Sequence, residues 1–138
     1  MGCGRVGSTL ASRLSHEGHD VTVIDNEPYA FRRLPTDFTG HKLVGSGVDD
    51  HVLEGAGLRQ ADAFLALTQG DNRNLLAAQM ARHVFGVAVV VARVYDPFRG
   101  EIFAHLGLRT FSPTNIGADL AYDALFREAP APTSSARE

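Results

Sequence analysis

The chain has 138 residues, of which 44% are hydrophobic and 21% charged, and its formal net charge is −3. These values fit one soluble globular domain and exclude the strongly basic surface that nucleic-acid binding requires. No apolar run approaches the ~18 residues that a membrane helix needs, so direct membrane insertion is not expected. The single cysteine, Cys3, excludes an internal disulfide and favours a reducing, cytosolic compartment.

The first predicted element is a helix from about Arg5 to His16, with Val6, Leu10 and Leu14 on one stripe. Gly18 is expected to end this helix as its C′ glycine. Later helices are predicted to begin at a capping side chain, and one of them places Leu76, Met80 and Val84 on a shared face. The expected capping residues are Asp49 or Asp50, Asp71, Asp96 before Pro97, and Ser112 before Pro113.

Short apolar runs between these helices predict five strands, at Val21–Ile24, Lys42–Val44, Ala63–Leu67, Val87–Ala92 and Arg109–Phe111. The third and fourth runs are continuously apolar, as strands buried on both faces are. Alternation of strand and helix at this spacing predicts an α/β fold: a doubly wound parallel sheet in three αβα layers, of Rossmann type.

The domain is expected to span residues 1–128, because residues 129–138 are rich in Pro, Ala and Ser and read as a linker or disordered tail. The glycine motif begins at Gly2, whereas a Rossmann unit has a strand leading into that loop. We therefore expect the native protein to have several more apolar residues before Met1.

The segment Gly2-Cys3-Gly4-Arg5-Val6-Gly7 is a G-x-G-x-x-G motif. Its glycines allow a tight turn, a close approach to pyrophosphate and close helix packing, while the helix N-terminus faces the phosphates. Asp25 ends the next strand 18 residues beyond Gly7, where a carboxylate can accept ribose hydroxyl protons and would repel a 2′-phosphate, so NADP is disfavoured. Asn26 beside it is a further candidate. The alternative reading makes the loop a plain tight turn and Asp25 a helix cap.

The sequence resembles the N-terminal nucleotide-binding domain of RCK (KTN, TrkA-N type) proteins, the cytosolic gating subunits of potassium transporters and channels. Segments that carry the resemblance occur in family order across Met1 to Leu125: Gly2–Gly7, Val21–Asp25, Leu53–Leu58, Ala61–Ala63, Thr68–Asn74 and Val91–Pro97. The resemblance implies that Arg5 contacts phosphate or a neighbouring subunit and that Ser46, Gly47 and Val48 line the adenine. It also implies that Thr68 borders the ligand and that Arg93 faces the ligand or the dimer seam.

The resemblance also implies a homodimer, formed by the last strands and helices, that sits at the inner face of the membrane through a potassium transporter or channel subunit. Phe98, Ile102, Phe103 and Leu106 exceed one core-facing stripe, which favours such an interface over simple packing on the sheet. Ile116, Leu120 and Phe126 add to this excess. One departure weakens the transfer of ligand identity: Gly45-Ser46-Gly47-Val48 stands where the family often has Gly-Asp-Ala-Thr.

Several polar residues allow two interpretations. Cys3 at a helix N-terminus could be reactive, but any small residue fits there. His16 and His19 are separated by Gly18, so no metal site is expected. Asp49 and Asp50 could bind a ligand or cap a helix. Arg93 follows a buried strand and must be paired, with a phosphate or with a carboxylate such as Asp71.

Three functions are compared. A regulatory module would bind ATP, ADP, AMP or NAD(H) and shift a dimer between two arrangements. An NAD-dependent oxidoreductase would need a substrate pocket and a proton donor, yet Lys42 is the only lysine and no Tyr-x-x-x-Lys pair occurs. The third is a scaffold whose glycine loop is degenerate and binds no nucleotide. The sequence favours the non-enzymatic regulatory module, without catalytic residues.

Overall fold

A computed structural model describes residues 1–127, so the predicted tail at 129–138 lies outside the described residues. The described part contains five α-helices, five strands and three short helices of other types. The α-helices are α1 (Arg5–His16), α2 (Asp50–Gly55), α3 (Asp71–Gln79), α4 (Pro97–His105) and α5 (Pro113–Phe126). The strands are β1 (Thr22–Asp25), β2 (His41–Val44), β3 (Ala63–Ala66), β4 (Val89–Arg93) and β5 (Arg109–Phe111). The 3₁₀ helices are Pro28–Arg33 and Leu58–Gln60, and a π-helix covers Met80–Val84.

All strand pairs are parallel: β1 pairs with β2, and β4 lies between β3 and β5. The backbone of Met1 and Gly2 joins these two groups. The nitrogen of Met1 donates to the oxygen of Leu65 over 2.8 Å, and Leu67 N donates to Met1 O over 2.9 Å. On the other side Gly2 N donates to Ile24 O over 2.8 Å. The order across the domain is therefore β2, β1, the Met1–Gly2 segment, β3, β4 and β5.

Two hydrophobic clusters cover opposite faces of this arrangement. Val23 and Ile24 are neighbours on β1 and point to opposite faces, and each belongs to a different cluster. The Val23 cluster contains Ala11 of α1 and Ala30 of the first 3₁₀ helix. The Ile24 cluster contains Leu53 of α2 and Leu75 of α3. The α/β fold with helices on both faces of parallel strands is confirmed.

Several local predictions agree with the structure. Gly18 follows the end of α1 with φ +87°, the left-handed conformation of a C′ glycine. Asp49 caps α2 by accepting from the amides of His51 and Val52. Asp96 caps α4, and Ser112 caps α5.

The predicted stripe of α1 is only in part its buried face. The buried residues of α1 are Gly7, Ser8 and Ala11, whereas Val6 is 38% exposed. Small side chains line this face because the helix lies close against the glycine loop, which leaves no space for larger ones.

Helix α3 corrects two predictions. Its N-cap is Gly70, and the carboxylate of Asp71 instead accepts from the amides of Tyr95 and Asp96 over 2.9 and 3.2 Å. Asp71 therefore ties the start of α3 to the loop after β4. Leu76 and Val84 are more than half exposed, because the buried face is formed by other positions. Those positions are Asn74, Leu75, Ala77, Ala78 and Ala81.

Helices α4 and α5 present apolar side chains to the outside. Phe98 and Ile102 on α4 are 69% and 46% exposed, and no residue of α5 is buried. Within residues 1–127, no helix has the length and apolar character needed to cross a membrane.

Candidate functional site

The glycine loop lies at the carboxyl ends of β1 and β3. Gly2 has φ +96°, and a Cβ there would lie 2.9 Å from the backbone of Leu67 and Thr68. A Cβ on Gly7 would lie 1.9 Å from the carbonyl oxygen of Gly2. Gly4 differs, because a Cβ there would meet nothing within 4 Å. Gly2 and Gly7 are thus required by the fold, whereas the space beside Gly4 is open.

The N-terminus of α1 faces the same open space. Its N-cap, Gly4, makes no side-chain cap hydrogen bond, and its first turn holds no acidic residue. The helical ladder begins with Ser8 N donating to Gly4 O over 2.9 Å, so the amides of Arg5, Val6 and Gly7 have no acceptor in the helix. These amides and the helix dipole form a partial positive charge that attracts anions.

Asp25 connects the end of β1 to the glycine loop. Its Oδ2 accepts from the amide of Cys3 over 2.7 Å, and its Oδ1 accepts from the amide of Glu27 over 2.9 Å. A carboxylate offers about four acceptor positions, so both oxygens can still accept from a ligand hydroxyl. Asp25 therefore has a structural role that the sequence did not reveal, in addition to its predicted ribose contact.

A cleft of about 180 Å³ opens between the glycine loop, β1, β2 and the start of α3. Seven of the predicted site residues line it, namely Gly2, Asp25, Asn26, Ser46, Gly47, Val48 and Thr68. Met1, Ile24, Gly45 and Arg73 complete the lining. Six predicted residues do not line the cleft itself: Cys3, Gly4, Arg5, Val6, Gly7 and Arg93. Of these six, Gly4, Arg5 and Val6 are exposed at the N-terminus of α1.

Cys3 contributes through its backbone. Its side chain is fully buried in the Val23 cluster. Burial raises the pKa of the Cys3 thiol, and the nearby Asp25 carboxylate raises it further. The environment of this buried side chain therefore disfavours the reactive thiolate.

A buried polar network joins the ends of β3 and β4. Asn74 is fully buried: its Oδ1 accepts from the amide and hydroxyl of Thr68 over 2.9 and 2.6 Å. Its Nδ2 donates to the carbonyl oxygens of Thr68 and Arg93 over 2.8 and 2.9 Å. The network holds Thr68 in place at the cleft. The sequence identified the segment around Asn74 but assigned no role to this side chain.

Arg93 is 7% exposed, and its protein partners are a backbone carbonyl oxygen and an aromatic ring, not the carboxylate of Asp71. Its Nε donates to the carbonyl oxygen of Thr68 over 3.1 Å, and Nη2 contacts the same oxygen. The guanidinium lies 4.9 Å from the ring centroid of Tyr95. The Thr68 carbonyl oxygen and the Tyr95 ring thus provide the pairing that a buried arginine requires. Asp71 instead accepts hydrogen bonds from the amides of Tyr95 and Asp96.

Arg73 is a cleft residue that the sequence reasoning missed. It lies in the first turn of α3, two residues after Asp71, inside a segment already identified as informative. Its position after the third strand is the signal that could have found it, because the carboxyl ends of parallel strands and the helices that follow them border ligands.

The residues after β2 line the remaining wall of the cleft. Ser46 Oγ accepts from the amide of Val48 over 3.4 Å, and a Cβ on Gly47 would collide with the side chain of Met1. Asp49 and Asp50 both accept from the amide of His51, which supports capping over ligand binding. Across residues 1–127, no three His, Cys, Asp or Glu side chains are grouped closely enough to hold a metal ion.

A family model, the TrkA-N domain, matches residues 1–113. The chain belongs to the TrkA-N domain family. The match includes every residue that lines the cleft. The Trk system potassium uptake protein TrkA of Streptomyces coelicolor is 49% identical over 119 residues, which are 86% of this chain and 53% of that relative. The chain therefore spans about half the length of the relative.

Solved structures share the fold of this TrkA-N domain. The NAD(P)-binding domain of an exopolyphosphatase-related protein from Archaeoglobus fulgidus superposes with a TM-score of 0.74 at 21% identity, covering 90% of this chain and 92% of that one. The Kef CTD of Shewanella denitrificans in its AMP-bound form gives a TM-score of 0.72 at 22% identity, covering 90% and 76%.

Proposed function

We propose that this TrkA-N domain binds an adenine nucleotide or NAD(H) and regulates a membrane potassium transporter through that binding. The observation that carries the proposal is the cleft lined by Gly2 of the glycine loop, Asp25 and residues 46–48. Such a crevice, at the carboxyl ends of strands where the chain turns to the other side of the sheet, is where ligands bind in doubly wound folds.

The cleft and the neighbouring N-terminus of α1 each suit one part of a nucleotide. The amides of Arg5, Val6 and Gly7 attract phosphate at the N-terminus of α1. Asp25 accepts from ribose hydroxyls, and its negative charge disfavours the 2′-phosphate of NADP. Ser46, Gly47 and Val48 border the base. Both solved structures described above have names that refer to a nucleotide, NAD(P) or AMP, which supports this assignment.

Regulation requires two arrangements of the protein that bind the ligand with different affinity. The exposed apolar faces of α4 and α5 supply a surface on which a second copy could pack, and we propose a homodimer whose geometry responds to the ligand. Named as a potassium uptake protein, the Streptomyces relative supports a membrane-embedded potassium transporter or channel subunit as partner. A location at the inner face of the membrane, held through that partner, belongs to the same proposal.

The decisive experiment is calorimetric titration with ATP, ADP, AMP, NAD and NADH, using wild type and Asp25→Asn. A hydrogen bond to a charged group contributes roughly 1.5–3 kcal/mol, so we expect about 10- to 150-fold weaker binding of every ribose-containing ligand in the variant. Asp62→Asn, an exposed carboxylate away from the cleft, is the matched control and should bind as wild type does. Equal affinity of wild type and Asp25→Asn would show that the site is misplaced.

Asp25→Ala tests the structural role at the same time. Losing both hydrogen bonds to backbone amides should lower the free energy of unfolding as well as the affinity, because the Cys3 and Glu27 amides lose their acceptors.

The same titrations distinguish a regulatory module from an oxidoreductase. Clear discrimination between ATP and ADP supports a regulatory gate, whereas preference for NADH together with hydride transfer would support the cofactor half of an oxidoreductase.

A further inference from the structure

Arg73 brings a positive charge to the cleft that Asp25 also lines. Its side chain is exposed, and within residues 1–127 it takes part in no ion pair. The nearest acid in sequence, Asp71, is held by the amides of Tyr95 and Asp96.

The N-terminus of α1 and the Arg73 side of the cleft differ in chemistry and lie toward different faces of the sheet. Helix α1, which supplies the anion-attracting amides, packs on the face of Val23. Arg73 belongs to α3, which packs on the opposite face with Ile24. Met1 and Val48 line the cleft and pack against that same Ile24 cluster. Arg73 therefore shares its side of the cleft with apolar groups and not with the phosphate-binding loop.

An apolar floor beside a planar cation is the environment that an aromatic base occupies. A guanidinium stacks on the face of an aromatic ring and carries less hydration than an ammonium, so it can cover a base without a large desolvation cost. The chain already places arginines in this way, with Arg59 5.0 Å from the ring centroid of Phe85 and Arg93 4.9 Å from that of Tyr95.

We propose that Arg73 is a base-binding residue whose guanidinium stacks on the base of the bound nucleotide. The inference rests on the proposed nucleotide function and deepens it. It assigns Arg73 to the base and leaves the phosphates to the N-terminus of α1, so the contribution of Arg73 is independent of how many phosphates the ligand carries.

Binding of adenosine, AMP and ADP to wild type and Arg73→Gln tests the proposal, with adenosine followed by NMR because its affinity is low. A cation–π contact is worth roughly 0.5–2 kcal/mol, so we expect about 2- to 30-fold weaker binding, by the same factor for all three ligands. Arg5→Gln is the matched control: it removes an exposed arginine at the phosphate end and should weaken ADP more than adenosine. Arg73→Lys should restore only part of the loss.

The outcomes distinguish failure of the Arg73 assignment from failure of the nucleotide function. Loss confined to AMP and ADP would assign Arg73 to phosphate and overturn base stacking, and unchanged affinity in Arg73→Gln would overturn any contact. In either case wild type still binds, and the nucleotide function stands. Absence of binding by wild type to these three ligands and to ATP, NAD and NADH would overturn both. Because Arg73 is exposed, its replacement is expected to preserve the fold, which circular dichroism checks.

Discussion

His16 makes two hydrogen bonds that a neutral imidazole cannot donate together. Its Nδ1 lies 2.8 Å from the carbonyl oxygen of Ser12, and its Nε2 lies 2.9 Å from Oδ2 of Asp37. Both partners are acceptors, whereas a neutral ring has one N–H. The geometry therefore fits the imidazolium form. The Asp37 hydrogen bond, followed by the Ser12 carbonyl, raises the pKa of His16, and His16 lowers the pKa of Asp37.

This pair predicts a pH-dependent contribution to stability. A raised histidine pKa stabilises the fold below the ordinary imidazole pKa, and the effect is lost as pH rises through the raised value. A lowered carboxyl pKa stabilises above the ordinary carboxyl pKa, and the effect is lost as pH falls through the lowered value. The stability difference between wild type and Asp37→Asn should therefore be largest at roughly pH 4 to 6.5, measured by urea unfolding across pH.

An NMR titration of the His16 ring gives a direct check. In Asp37→Asn the pKa of His16 should fall toward that of an ordinary histidine. Asp20→Asn is the control, because it removes the carboxylate 3.9 Å from His41 and leaves the partners of His16 intact. An unchanged His16 pKa in Asp37→Asn would show that the pair does not persist in solution.

Single residues differ in how far the sequence could define them. Asp25 was identifiable as a cleft residue because its spacing from the glycine motif places it at the end of β1. Its hydrogen bond to the Cys3 amide was not, since it depends on how the loop folds back over β1. The buried role of Asn74 was missed for a similar reason: its partners Thr68 and Arg93 come from two other elements.

Among the elements, the joint between the glycine loop and α1 yields a matched pair of substitutions. A Cβ on Gly7 would lie 1.9 Å from the carbonyl oxygen of Gly2, so Gly7→Ala must push α1 away from the loop. Overpacking costs roughly 1–3 kcal/mol, and a rigid backbone neighbour places Gly7→Ala toward the upper end. We expect a matching fall in the free energy of unfolding, together with loss of nucleotide binding.

Gly4→Ala separates binding from folding, because its Cβ would enter open space. Its φ of −75° is accessible to alanine, so the free energy of unfolding should change much less than in Gly7→Ala. Nucleotide affinity should nevertheless fall if phosphate approaches the backbone at this point. Calorimetry and urea unfolding of the two variants measure both effects, and equal stability of Gly4→Ala and Gly7→Ala would contradict the geometry.

Elements were predictable where a single local signal decides them. Strands were located to within one or two residues because buried parallel strands are continuous apolar runs, and Asp96-Pro97 marked the start of α4. The buried faces of α1 and α3 were harder. Their core contacts are made largely by Gly7, Ser8, Ala77 and Ala78, since close packing selects small side chains that carry little hydrophobic signal.

For the whole molecule, the hydrophobic core does not extend to α5. The core is complete around β1, β3 and β4, whereas α5 contributes no buried residue despite its apolar composition. Its exposed side chains include Leu120 at 61%, Leu125 at 78% and Phe126 at 70%. The sequence indicated this excess of apolar residues, but only the structure shows that they lie outside the core.

An apolar helix left outside the core predicts association between copies of the chain. We expect wild type to sediment at twice the chain mass, and Leu120→Glu combined with Phe98→Glu to sediment as a monomer, because two charges would be buried without partners. Both positions are exposed, so circular dichroism should show an unchanged fold. Tyr29→Glu, at an exposed aromatic residue outside α4 and α5, should remain dimeric. A wild-type monomer at all concentrations tested would contradict the assignment of this surface.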